Sequence, residues 1–202
     1  MKTITELKSL AKESIKGKIG LLFEMGLVVF FCQIVVSLIP VVGQFVSHIT
    51  GVAFTLGFVL VFLRVAKGEP FSFDDAFYGF SDLWTAFKAQ FMMGFFIMLW
   101  SLLLVIPGII KGIAYSMTWY ILAENKGMPV LEAITRSRKM MDGHKMELFI
   151  LCLSFIGWYL LVVVTAGIAS IWVLPYFHAT LANFYLSVKE EYESRNQTVV
   201  VD

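Results

Sequence analysis

Between Leu148 and Thr165 the chain carries no Asp, Glu, Lys or Arg. An α-helix rises about 1.5 Å per residue, so roughly 20 apolar residues carry it through the ~30 Å hydrocarbon layer of a bilayer. Similar blocks recur at Ile19–Ile39, Phe45–Ala66, Ala89–Ile106, Gly108–Ala123 and Ile171–Val188. The chain has 202 residues, 58% hydrophobic and 15% charged. An ordinary soluble domain carries roughly 25% charged residues. The blocks therefore predict an all-α, polytopic membrane protein, a bundle of six transmembrane helices. Gly108–Ala123 is short for a full crossing and contains Lys111.

The connections alternate between tight and long, which predicts three helical hairpins. Residues 1–18 read as a cytoplasmic amphipathic helix, 19–66 as the first hairpin and 67–88 as an interfacial loop. Residues 89–123 form the second hairpin, 124–147 a basic interfacial loop, 148–188 the third hairpin and 189–202 a cytoplasmic tail. Cytoplasmic loops accumulate Lys and Arg. With six crossings, every cation but Lys111 falls on one side, so both termini are expected in the cytoplasm. No signal peptide is expected, because the first apolar block is too long and no small-residue cleavage site follows it.

The two long loops open alike, with Lys67-Gly68-Glu69-Pro70 and Lys126-Gly127-Met128-Pro129. The same shift superposes Phe96 on Phe155 and Gly108-Ile109 on Gly167-Ile168, which suggests an internal repeat. Each unit is expected to be an amphipathic helix in the headgroup plane, a polar doorway and a hairpin. The first helix carries Ile4, Leu7, Leu10, Ala11 and Ile15 on one stripe, with lysines opposite. Val130, Ile134 and Met141 play that part in the second long loop, and Phe73, Phe77, Phe80 and Trp84 in the first. Gly17-Lys18 and Gly143-His144-Lys145 stand where such a helix turns into a crossing. Glycine permits the turn and lysine anchors it at phosphate level.

The stretch from Ser137 to Trp158, with Met141, Gly143, Lys145 and Ser154-Phe155-Ile156-Gly157-Trp158, followed by Pro175-Tyr176, resembles the bacterial membrane family of domain of unknown function 975. The resemblance covers most of the chain. It implies a bacterial cytoplasmic-membrane protein and assigns no reaction.

Charged and polar residues in apolar surroundings are the functional candidates. Glu24 is expected to pair with a doorway lysine such as Lys88 or Lys145, or else to form a proton or headgroup site. Lys111 should snorkel to the outer headgroups and His178 should pack within the last span. Gln33, Ser154, Thr180 and Asn183 read as interhelical contacts, and Cys32 and Cys152 as buried small hydrophobes. Pro175 predicts a kink in the last span. Asp74, Asp75 and Asp82 read as caps at a helix start. Candidate headgroup residues are Lys18, Lys88, Arg136, Arg138, His144 and Lys145.

The near-neutral net charge of +1 argues against a nucleic-acid partner. No nucleophile–base pair, phosphate loop or metal-ligand spacing is present, so neither catalysis nor a cofactor is expected. The leading expectation is a non-enzymatic protein that binds lipid or a membrane-active peptide at the inner leaflet, with anionic headgroups as partners. The alternatives are a transporter or channel component, and an accessory subunit with a protein partner or a second copy of itself.

Overall fold

The computed structural model describes residues 2–40, 42–103 and 105–201, and among them every regular element is a helix. In chain order these are α1 (Ile4–Ile15), α2 (Ile19–Ser37), α3 (Val42–Lys67), α4 (Phe73–Ala76), α5 (Tyr78–Ser81) and α6 (Leu83–Leu103). There follow α7 (Val105–Tyr115), α8 (Thr118–Glu124), α9 (Val130–Met140), α10 (Lys145–Leu153), α11 (Ile156–Val164) and α12 (Ser170–Val201).

Four stretches are long and apolar enough to cross a membrane: Ile19–Ser37, Gly43–Lys67, Leu83–Leu102 and Lys145–Val164. They match four of the six expected blocks. The block at Gly108–Ala123 is instead divided between α7 and α8, with a turn at Ser116-Met117. The block at Ile171–Val188 forms the first part of α12, where His178, Thr180, Asn183 and Ser187 dilute the apolar sequence. α12 runs through Pro175 without interruption.

The helices pack around α3. α1 and α2 lie on α12; α4, α5 and α6 lie on α3; α9 lies on α7 and α8, and α10 on α7. At the centre α3 touches both α8 and α12. α8 meets α12 through the stacked rings of Tyr120 and Tyr185, whose centroids are 5.1 Å apart. The buried apolar residues lie mainly on these three helices and on the faces of α1 and α9. The outward faces of α2, α6, α10 and α11 remain exposed and apolar. That is an outside surface suited to lipid, since in water so large a patch would drive association.

α1 starts at a capping box. The Glu6 amide donates to Thr3 Oγ1 and the Thr3 amide donates to the Glu6 carboxylate. Its stripe Leu7, Ala11 and Ile15 is buried. The stripe is not left for lipid: α1 runs lengthwise along α12. The Lys2 amide donates to Ser187 Oγ at 3.1 Å, and the Lys12 ammonium stands 5.5 Å from the Tyr176 ring. Those two α12 positions are about 16 Å apart at 1.5 Å per residue. The apolar stripe is covered by protein because α12 offers Ala179, Ala182 and Val188 in its own buried surface.

Asp75 and Asp82 cap helix starts as expected, and the glycines shape the turns. Asp75 closes a capping box with Ser72 at the start of α4 and pairs with Arg64 at 2.8 Å, while Asp82 accepts from the Thr85 amide. Gly17 and Gly143 have φ of +76° and +89°, the left-handed region that other residues enter at a cost of roughly 1–2 kcal/mol. Gly143→Ala should therefore lower stability by about that amount. A thermal unfolding series in detergent checks this. Gly20→Ala, at a helical glycine with nothing within 4 Å of a new Cβ, should leave the midpoint unchanged.

Several polar contacts differ from expectation. Gln33 does join two helices, accepting from Ser47 at 3.1 Å and Thr50 at 3.3 Å. Ser154, Thr180 and Asn183 instead bond carbonyls of Leu151, Tyr176 and Ala179, one turn back on their own segments. A short polar side chain in an apolar helix finds its nearest acceptor there. Cys32 and Cys152 are exposed, on the outward apolar faces of α2 and α10, and not buried.

Candidate functional site

α9 is held against α7 by one buried hydrogen bond, Ser137 Oγ donating to the Ala114 carbonyl at 2.8 Å. That contact brings the basic end of α9 beside Lys111. Ile110, Lys111, Arg138, Lys139, Asp142 and Lys145 line a cavity of about 340 Å³. Asp142 pairs with Lys145 at 3.1 Å. Lys111, Arg138 and Lys139 pair with no carboxylate among the described residues. The Lys111 ammonium lies 4.4 Å from the Trp100 ring centroid, a cation–π contact that leaves its charge unneutralised.

Lys111 was expected on the face opposite the basic loop, yet it lines one cavity with three cations of that loop. A single straight crossing over 108–123 would have kept them apart. The turn at Ser116-Met117 and the docking of α9 back along α7 bring them together.

The other candidate residues are elsewhere. His144 is buried; its Nδ1 is 3.0 Å from Glu147, and its Nε2 is 3.0 Å from the Arg195 guanidinium and 3.5 Å from Glu191. Arg136 pairs with Glu193 at 3.4 Å. Both residues thus tie the α9–α10 region to the end of α12 and stand outside the cavity. Lys18 lies over Phe71 at 5.8 Å and Lys88 over Trp84 at 5.6 Å, the latter exposed as an interfacial tryptophan is expected to be. Glu24 is exposed, and no ion pair joins it to Lys88 or Lys145 among the described residues. His178 stacks on Phe62 at 5.1 Å and meets Phe177 edge-on at 5.7 Å, as a packing residue would.

A second polar cluster escaped the sequence reading. Glu124, at the end of α8, accepts hydrogen bonds from Lys67 of α3 and from Tyr185 and Lys189 of α12, the last at 2.8 Å. Burial alone would raise its carboxyl pKa, but the bonds from Lys189, Lys67 and Tyr185 hold it below the ordinary carboxylate value. Its place directly after the apolar run Tyr120–Ala123 was the only available signal. The cluster fastens the three central helices at one end.

No group of His, Cys, Asp and Glu suited to a metal ion occurs among the described residues. No curated protein and no solved structure matches the chain. One family does, described as protein of unknown function (DUF975), over residues 1–111 and again over 101–192. These matches span α1 to the middle of the α12 tail and include every residue of the cationic cavity. The chain is a member of the DUF975 family.

Proposed function

We propose that this protein is a non-enzymatic, multi-pass protein of a bacterial cytoplasmic membrane that binds anionic lipid headgroups at the inner leaflet. On this reading six segments cross in three hairpins, with both termini cytoplasmic. Four apolar helices support a membrane location. α8 and the first part of α12 then lie behind the more apolar helices, where protein shields their polar residues.

One observation carries the binding reading: Lys111, Arg138, Lys139 and Lys145 surround one cavity that contains a single carboxylate. Exposed apolar side chains flank it, Ile106, Ile109 and Ile110 on α7 and Met146, Phe149 and Ile150 on α10. A cationic cup beside an apolar wall fits an amphiphile whose head is negative. Lys18 and Lys88, each over an aromatic ring, are read as anchors that stand apart from the cavity.

The test is retention of anionic lipid by the protein in zwitterionic nanodiscs, followed by native mass spectrometry. Lys111→Gln with Lys145→Gln should cut retention roughly tenfold, as expected when charge-assisted bonds to a headgroup are lost. Lys18→Gln with Lys88→Gln, which lie outside the cavity, should change it less than threefold. Equal retention by both double variants and the wild type would refute the cavity as the site. Copurification of a peptide in place of lipid would replace lipid as the ligand.

A further inference from the structure

Resting on that reading, we infer that the cavity selects a lipid ending in a phosphomonoester or diphosphate over one whose headgroup is a phosphodiester. Three features of the site point that way.

The first is charge. Asp142 offsets Lys145, while Lys111, Arg138 and Lys139 have no carboxylate partner among the described residues. A phosphodiester brings one negative charge and two free oxygens, which leaves most of this excess unmatched. A phosphomonoester carries about −1.5 to −2 at pH 7 and three strong acceptor oxygens. A diphosphate carries at least as much charge. Where like charges share a cleft, each added negative charge on the ligand relieves their mutual repulsion, so the discrimination grows with ligand charge.

The second is donor geometry. Arg138 supplies a planar fork that can grip two oxygens of one phosphoryl group, and Lys111, Lys139 and Lys145 supply compact ammonium donors around it. A terminal phosphoryl group presents oxygens in three directions at once. A diester has two of its four oxygens capped by carbon, and those cannot take charge-assisted bonds of full strength.

The third is size and surroundings. About 340 Å³ is near the lower limit of roughly 300–1,000 Å³ typical of small-molecule sites. It accommodates a compact phosphate head and not the hydrocarbon chains. Those chains have the adjoining apolar surface of α7 and α10 to lie on, so the ligand is carried on a lipid.

The experiment uses the full chain in phosphatidylcholine nanodiscs doped with equal mole fractions of phosphatidic acid or phosphatidylglycerol. Soluble inorganic pyrophosphate serves as competitor. Phosphatidic acid should be retained roughly tenfold more tightly than phosphatidylglycerol, about 1.4 kcal/mol, and pyrophosphate should displace it. Arg138 and Lys139 are exposed, so Arg138→Gln with Lys139→Gln should fold and should erase the preference. Equal retention of the two lipids by the wild type would overturn this selectivity while leaving anionic-lipid binding intact. Retention of neither above phosphatidylcholine would overturn both. Pyrophosphate binding without any lipid preference would make the ligand a free anion and overturn the lipid-borne assignment.

Discussion

Gly57→Ala should remove most of the folded protein, and Gly79→Ala should do the same. α3 and the α4–α5 segment cross with backbone against backbone. A Cβ on Gly57 would stand 2.0 Å from the Ala76 carbonyl oxygen, and one on Gly79 would stand 2.0 Å from the Ala53 carbonyl oxygen. Neither contact can be relieved by swinging a side chain, because both obstacles are main chain. The two segments must separate along their whole contact, which also loosens Phe77 and Phe80 from Phe54, now edge-to-face at 5.4 and 5.0 Å. Overpacking a core costs roughly 1–3 kcal/mol when side chains can adjust, so a backbone clash should exceed about 3 kcal/mol. Domains have about 5–15 kcal/mol in total. The measurement is the monodisperse yield after extraction and the unfolding midpoint. Gly94→Ala, on α6 with nothing within 4 Å of the new Cβ, is the control and should match or slightly exceed wild type. A Gly57→Ala protein with wild-type yield and midpoint would mean the crossing is wider than described.

That crossing was invisible in the sequence, and the reason is general. Local patterns report what a segment does with its immediate neighbours. The apolar runs at Ile19–Ile39 and Leu148–Thr165, the capping acids Asp75 and Asp82, and the doorway glycines Gly17 and Gly143 all depend on contacts within a few residues. Each was legible. Gly57 and Gly79 are glycines for a reason held by Ala76 and Ala53, and nothing near them in the chain records that pairing.

The candidate site divides along the same line. Arg138 and Lys145 were marked by their place in a basic loop beside an apolar block. Lys111 was read from its position in a supposed straight crossing, which put it on the wrong side of the problem. Its actual neighbours follow from the turn at Ser116-Met117 and from the Ser137–Ala114 hydrogen bond, and a buried serine in an amphipathic helix gives little warning of such a role. The lengthwise packing of α1 on α12 is similar. An apolar stripe with lysines opposite states that one face will be covered, and leaves open whether lipid or protein covers it.

Glu124→Gln should destabilise the protein by about 2–4 kcal/mol at neutral pH, by leaving two lysines without their shared counter-charge. The Glu124 side chain is 8% exposed, while those of Lys67 and Lys189 are 30% and 26% exposed. Removing one partner of a fully buried pair costs roughly 3–5 kcal/mol, and the partial hydration of these lysines lowers that somewhat. Glutamine keeps the shape and can still accept from Tyr185, so the loss isolates the charge. Tyr185→Phe removes one donor to a charged acceptor and should cost about 1.5–3 kcal/mol. Acid provides an independent check of sign. The folded pKa of Glu124 lies below the unfolded value of about 4.3, so its contribution is complete above that pH and disappears as pH falls through the folded value. As the pH falls through the folded value, the wild-type midpoint should therefore drop toward that of Glu124→Gln until the two curves converge. A difference between the midpoints that stays constant across the whole acid range in which the protein remains folded would show that the variant acts through packing. Equal midpoints at pH 7 would mean that the joint between α3, α8 and α12 is held by the Tyr120–Tyr185 stack and its apolar neighbours alone.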